Sequence, residues 1–228
     1  MDVKQAVELL ISAKKPVIWS GMGVLMAGAS PELTEFAELI EVPVYCTMPG
    51  KSGFDQRHPL SLGSGSGATS QEARNWLQDS DVLFAVGSSM SRTSYGQPIP
   101  DGKVIIHNTE TVADLNKDFS VDCGLIGDAK ITLRMLIEET KSQLGPEGRK
   151  GSTNIASEIK AVHDEWMADW AAVLSTDEVP ISGYRVIGEM VKVLDQENSI
   201  VTHDAGAPRD MIMPFYPGTV PHLSLIHI

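Results

Sequence analysis

The chain has 228 residues, 42% of them hydrophobic and 21% charged, with a formal net charge of −12. That length and apolar share can bury one large or two modest domains, while the acidic balance, with no Lys/Arg cluster to reverse it locally, argues against nucleic acid and membrane partners. No apolar stretch approaches the roughly 20 residues that span a bilayer, the first residues lack the order of a signal peptide, and Cys46 and Cys123 match neither a CxxC pair nor a zinc spacing, so a cytoplasmic protein with free, buried thiols is expected.

Val3, Ala6, Val7, Leu10 and Ala13 recur at helical spacing, which predicts an amphipathic helix over Val3 to Ala13. Pro16 blocks its continuation, and the apolar run Val17-Ile18-Trp19, closed by Gly21-Met22-Gly23, predicts a buried parallel strand feeding a tight turn. Ser30 before Pro31 reads as an N-cap, opening a helix with Leu33, Phe36, Ala37 and Ile40 on one face. Val42 to Cys46 is the next predicted strand. Thr47 to Gly67 is rich in Gly, Ser and Pro with no sustained period, which predicts a long loop of the kind that carries function. A short helix over Gln71 to Gln78, a strand over Asp81 to Gly87 and another over Val104 to His107 follow. Asp128 then caps a helix whose apolar face is Ile131, Leu133, Leu136 and Ile137.

This alternation of strands and helices predicts an α/β fold with a Rossmann-like, doubly wound parallel sheet over residues 1–144. The polar, Gly/Pro-rich stretch 145–153 has the composition of an interdomain linker. A second, incomplete α/β unit is expected over 154–222. It consists of a helix from Ile155 to Leu174 bearing Trp166 and Trp170, a helix over Tyr184 to Leu194 capped by Ser182, and a strand over Ser199 to His203. That strand has no evident partner, so an exposed sheet edge is expected after residue 200.

Three glycine-rich segments invite motif readings. Gly21-Met22-Gly23 resembles the opening of a dinucleotide fingerprint, but Met26 stands where the third glycine belongs, and a plain tight turn is an equal alternative. Gly50-Lys51-Ser52 resembles the end of a P-loop whose first glycine is replaced by Tyr45, which rejects an NTPase. Gly63-Ser64-Gly65-Ser66-Gly67 lacks the central serine of a nucleophile elbow and reads as a flexible loop that admits a close backbone approach. His58, His107, His163 and His203 show no metal-ligand spacing, so structural hydrogen bonding is expected for them. His203 stands out because it ends a strand beside Asp204 and Gly206, where open α/β sheets place ligands.

The segments Pro16 to Val24, Val42 to Thr47 with Gly50-Lys51, His58-Pro59-Leu60 with Leu62-Gly63, Ser80 to Ser88, and Gly127-Asp128-Ala129 occur in an order and spacing that resembles the thiamine diphosphate enzymes of the acetolactate synthase, pyruvate oxidase and benzoylformate decarboxylase superfamily. The resemblance covers residues 1 to 220 and corresponds to the central domain and the start of the pyrophosphate-binding domain. It implies an enzyme of acetolactate synthase type, working on 2-oxo acids by carbon–carbon bond formation or decarboxylation with thiamine diphosphate and magnesium, as a homodimer or homotetramer. The loop Asp204, Ala205, Gly206, Ala207, Pro208 and Arg209 occupies the place of the synthases' Gly-Gln-His-Gln loop, so Asp204, Ala205, Gly206, Ala207 and Arg209 are the implied diphosphate contacts. Ala207 and Pro208 replace the Gln and His, and Arg209 is expected to make up for their lost side-chain hydrogen bonds as a charged phosphate ligand.

Where family members bind FAD in the central domain, the resemblance places the contacts at Gly21, Gly23, Thr47, Gly65, Gly67, Gly87 and Asp128. Ser89 and Thr109 replace the synthases' arginine and aspartate, so an empty or differently occupied site is expected in preference to FAD. Neither the activating glutamate nor the Gly-Asp-Gly…Asn magnesium motif is found in these residues. No catalytic or metal-ligating residue is therefore assigned, and a fragment inactive by itself is expected. The alternative is a non-catalytic, free-standing module that binds FAD or ADP or a partner subunit. Leu223 to Ile228 fits neither the family nor a helix start and is expected to be a foreign tail over 223–228, with a strand as the structural alternative.

Overall fold

The computed structural model describes residues 2–225, and the side chains of residues 2–223. Six parallel strands form the main sheet: β1 (Pro16–Ser20), β2 (Val44–Thr47), β3 (Ser61–Gly65), β4 (Val82–Val86), β5 (Val104–Thr109) and β6 (Cys123–Ile126). Their spatial order is β3-β2-β1-β4-β5-β6. The chain runs outward from β1 to β3 and then returns to lay β4 on the other side of β1. The crevice at the carboxyl ends of β1 and β4 is therefore the topological switch point of a doubly wound fold.

Side-chain alternation along the strands builds two apolar layers. Ile18, Val44, Phe84 and Ile106 face α1 (Val3–Ser12), α3 (Ser30–Ile40) and α5 (Ala129–Leu144), where Val7, Leu10, Leu33, Phe36, Leu133 and Leu136 complete the larger core. Val17, Trp19, Tyr45, Leu83 and Ile105 point the other way, onto Ala73, Trp76 and Leu77 of α4 (Gln71–Asp79) and Ile159 of α6 (Ile155–Leu174). Both faces being covered explains why β1 and β4 are buried at every position.

Several expectations are corrected. The stretch Thr47 to Gly67 is not one loop, because a 3-10 turn fills Met48–Gly50 and β3 fills Ser61–Gly65. Ser-Leu-Gly-Ser-Gly carries one large apolar residue, and the strand exists because β2 offers its free edge. A short helix, α2 (Met22–Met26), follows the Gly21 turn, and β6 was also absent from the sequence reading. Ser30 lies inside α3, with Ala29 at the cap position. The second strand begins at Val44, since Pro43 has no N–H for a ladder. Ile131 is 59% exposed, so the buried face of α5 is Leu133, Leu136 and Ile137 without it.

Asp128 caps α5 through its carboxylate, which accepts from the Ile131 amide at 2.9 Å. Beyond α5, the expected linker is strapped onto the α1/α3 layer. The Arg149 amide donates to the Leu39 carbonyl at 2.8 Å, its guanidinium donates to the Ile11 carbonyl, and Lys150 pairs with Glu38 at 3.5 Å. Helix α6 then runs from the main sheet to a third apolar cluster. There Trp166 and Trp170 meet Tyr184 of α7 (Gly183–Val193) and Phe215 of α8 (Ala207–Phe215), with Phe215 stacked on Trp166 at 4.9 Å between ring centroids. Strand β7 (Val201–Thr202) is shorter than Ser199 to His203 and is paired in parallel with β8 (Ser224–Leu225). The pairing supports the strand alternative for the start of the 223–228 tail; its last three residues lie outside the described residues.

Candidate functional site

The turns after β1 and β4 are locked into each other. The Gly23 amide donates to the Gly87 carbonyl at 2.8 Å, and the Gly21 amide donates to the Val86 carbonyl at 2.9 Å. A Cβ on Gly21 would lie 2.3 Å from the Gly87 oxygen, and one on Gly23 would lie 2.7 Å from the Gly87 Cα. These glycines let two backbone turns touch, so backbone packing already explains them without a ligand.

A cavity of about 590 Å³ opens above this knot, lined by Trp19, Gly21, Gly23, Thr47, Gly65, Gly87 and the whole segment from Ser88 to Ile99, with Phe119. Asp128 lines an adjoining polar cavity of about 330 Å³, with Gly23, Gly87, Asn108 and Thr109. The structure thus brings Gly21, Gly23, Thr47, Gly65 and Gly87 to one cavity and Asp128 to its neighbour. Gly67 lines neither and donates its amide to the Tyr95 carbonyl at 2.9 Å.

Beyond Ser88 and Ser89, sequence reasoning passed over the segment Met90 to Ile99, although the stretch between two apolar strands is long enough to signal a functional loop. It also passed over Asn108, which ties the site together. The Asn108 amide donates to the Leu125 and Gly127 carbonyls at 3.1 and 3.0 Å, and its carbonyl accepts from the Gly87 amide at 3.2 Å. His107 holds the adjacent turn: its Nε2 donates to the Ser88 carbonyl at 2.7 Å, which fixes the neutral tautomer, and burial pushes the imidazole below its ordinary value. Of the other histidines singled out above, His58 meets Glu38 at 3.2 Å, His163 meets Glu72 at 2.9 Å and His203 meets the Asp204 carbonyl at 3.0 Å.

Chemically the larger cavity is mixed in character. Trp19, Met48, Met90 and Phe119 give it apolar walls, Ser88, Ser89 and Thr93 offer hydroxyls, and Arg92 is the one charged lining residue, its guanidinium 4.5 Å from the Phe119 ring centroid. Among the described residues, its lining has no carboxylate, imidazole, thiol or amine.

The loop Asp204 to Gly206 lies apart from these cavities at the head of α8 and is exposed, as is Ala207. Gly206 precedes the helix with φ 84°. The Ala205 amide is taken by the Asp204 carboxylate at 2.7 Å, and Pro208 has no N–H, which leaves the Gly206, Ala207 and Arg209 backbone amides as donors at this helix end. The Arg209 guanidinium is held by Asp210 at 2.8 and 3.1 Å and lies 5.8 Å from the Tyr95 ring centroid. Asp210 in turn accepts from Ser66 at 3.0 Å, so this corner ties α8 to the cavity loops. The loop fits a phosphate end through backbone donors. It does not fit a divalent cation, because among the described residues no group of three or more His, Cys, Asp or Glu could hold one. No described helix is long and apolar enough to cross a membrane.

Comparison with known proteins places this architecture. The family model described as "Thiamine pyrophosphate enzyme, central domain" matches residues 3–136. The chain is 31% identical over 213 residues to a protein of Methanococcus aeolicus named "Probable acetolactate synthase large subunit", covering 90% of this chain and 35% of the relative. It is 30% identical over 212 residues to the glyoxylate carboligase of Escherichia coli O157:H7, covering 89% and 34%. It is 37% identical over 144 residues to the acetolactate synthase large subunit of Corynebacterium glutamicum, covering 62% and 23%. The chain thus spans roughly a third of the length, or less, of these curated relatives. The six-stranded Rossmann-like sheet and these matches lead to one conclusion: the chain belongs to the thiamine pyrophosphate enzymes and carries their central domain.

Proposed function

We propose that this chain serves an enzyme that uses thiamine diphosphate and magnesium to form or cleave a carbon–carbon bond next to the carbonyl of a 2-oxo acid. The observation that carries this reading is the continuation of the match beyond the central domain, through 90% of the chain in a relative named as an acetolactate synthase. Such a match takes in residues well past position 136, where the family model ends. Thiamine diphosphate would supply the electron sink for the reacting carbon. This chain would contribute a phosphate contact through the Gly206 and Ala207 amides, while the magnesium ligands and the activating glutamate lie outside its described residues. The chain by itself is then a non-catalytic part of a homodimeric or homotetrameric enzyme of the cytoplasm.

The cavity over β1 and β4 is read as empty or as taking a ligand other than FAD, because Ser89 and Thr109 replace the arginine and aspartate of the synthases. The test is to give the full-length product of the gene thiamine diphosphate, Mg²⁺ and, in turn, pyruvate, 2-oxobutyrate and glyoxylate, and to follow CO2 release. Release from at least one of them supports the reading. A folded protein that binds the cofactor and releases none refutes it. Purification with bound FAD would overturn the reading of the cavity alone.

A further inference from the structure

Lys51 is the one lysine of the chain that is fully buried, with 1% exposure, and its ammonium has no carboxylate partner among the described residues. Its Nζ is surrounded by neutral oxygens: Gln56 Oε1 at 3.0 Å, Ser64 Oγ at 3.1 Å, the Met213 carbonyl at 3.3 Å and the Tyr216 carbonyl at 2.6 Å. The last two are carbonyls at the C-terminal end of α8, Met213 in its final turn and Tyr216 at its cap position. A helix leaves its last carbonyls without partners, and here the residue four beyond Met213 is Pro217, which has no N–H to offer. A donor from outside the helix is needed, and the Nζ N–H groups supply it in the charged and the neutral form alike. The following residues are stitched to the same place, since the Gln56 amide donates to the Gly218 carbonyl at 3.0 Å and the His222 amide to Ser52 Oγ at 3.2 Å.

We infer that Lys51 is the positioning residue that seats α8 on the central sheet, and that it thereby sets where the Asp204 to Gly206 loop at the other end of that helix stands. The seat rests on contacts within this chain; its value for a diphosphate rests on the function proposed above.

The groups around Nζ make the seat titratable. Burial pushes Lys51 down from its ordinary value to about 7. Across the contact, β2 presents Cys46, whose thiol burial pushes up to about 11, and α8 presents Tyr216, whose phenol is also pushed up. From β3 comes only the Ser64 hydroxyl. In the loop after Lys51, Asp55 is turned to Arg57 at 2.9 Å and His58 to Glu38 at 3.2 Å. When α8 lifts away, Lys51 meets water and regains its ordinary value. Opening therefore takes up a proton above about pH 7, so α8 becomes better seated as the pH rises from there towards 10.

Amide hydrogen exchange tests this on the whole chain. In Lys51→Met, which keeps the length and loses the donors, α8 is expected to exchange at least tenfold faster while α5 is unchanged. In the native chain the α8 opening constant, corrected for intrinsic exchange, is expected to fall with pH above 7, and in Lys51→Met it is expected to be flat. Unchanged exchange in α8, or equal acceleration in α5, overturns the seat. Should Lys51→Met fail to fold, the shorter but still polar Lys51→Gln is read in the same way, and unchanged α8 exchange in it overturns the seat. Faster α8 exchange with undiminished thiamine diphosphate affinity of the full-length enzyme would leave the seat standing and remove only the loop's assigned role.

Discussion

Replacing Gly87 by alanine tests whether the glycines beneath the cavity serve backbone packing. Gly87 has φ +57°, and an added Cβ would lie 2.6 Å from the Val24 nitrogen and 2.8 Å from the Gly23 carbonyl carbon. Left-handed backbone costs an L-residue about 1–2 kcal/mol, and forcing atoms into a packed site adds about 1–3 kcal/mol. Gly28 is the internal control, because its φ is +59° and its added Cβ meets nothing within 4 Å. Gly28→Ala carries the left-handed cost alone, and the stiffening of the unfolded chain is common to both variants. Gly87→Ala should therefore be less stable than Gly28→Ala by about 1–3 kcal/mol. Urea unfolding followed by far-ultraviolet circular dichroism measures this as a shift in midpoint at constant slope. Equal stability of the two variants, to within about 0.5 kcal/mol, would refute the interlocked turns and return the glycines to a role in ligand approach.

Two further outcomes follow from the packing of α6. Phe215→Ala removes the ring stacked on Trp166 and touching Trp170 and Tyr184; it should cost about 3–5 kcal/mol, read as an early tryptophan fluorescence transition, and a single unshifted transition would contradict it. His163 is held above its ordinary value by the Glu72 carboxylate at 2.9 Å, with burial opposing. A raised folded-state value means that its stabilisation is full below about 6.5 and is lost as the pH climbs through the folded-state value. The native chain should accordingly lose more urea resistance between pH 6 and 8 than His163→Gln, and identical pH profiles would exclude this pairing as a source of stability.

Local physics made much of the molecule legible. Val17-Ile18-Trp19 and Val82 to Val86 could only be strands buried on both faces, and they became the two central ones. Periodicity and capping placed α1, α5, α6 and α7 to within a residue or two, and the Asp128 and Ser182 caps formed as their chemistry requires. The resemblance carried by Pro16 to Val24, Ser80 to Ser88 and Gly127-Asp128-Ala129 led to the family that the comparisons show. It also named Gly21, Gly23, Thr47, Gly65 and Gly87, which meet at the larger cavity, although most of that cavity's lining comes from residues it did not name.

What only the tertiary structure decided are the features made by partners distant in sequence. Ser61 to Gly65 is a strand because β2 has a free edge, and no local preference of Ser-Leu-Gly-Ser-Gly announces it. The segment Ser88 to Ile99 lines a cavity only once β1 and β4 stand side by side. Lys51 looked like the remnant of a phosphate loop, yet it is buried against carbonyls more than 160 positions away. Arg209, read as a phosphate ligand, has its guanidinium held by Asp210 near Tyr95. Side-chain type and spacing fix what a residue can donate or bury, whereas the acceptor it finds depends on which strands and helices the sheet brings together.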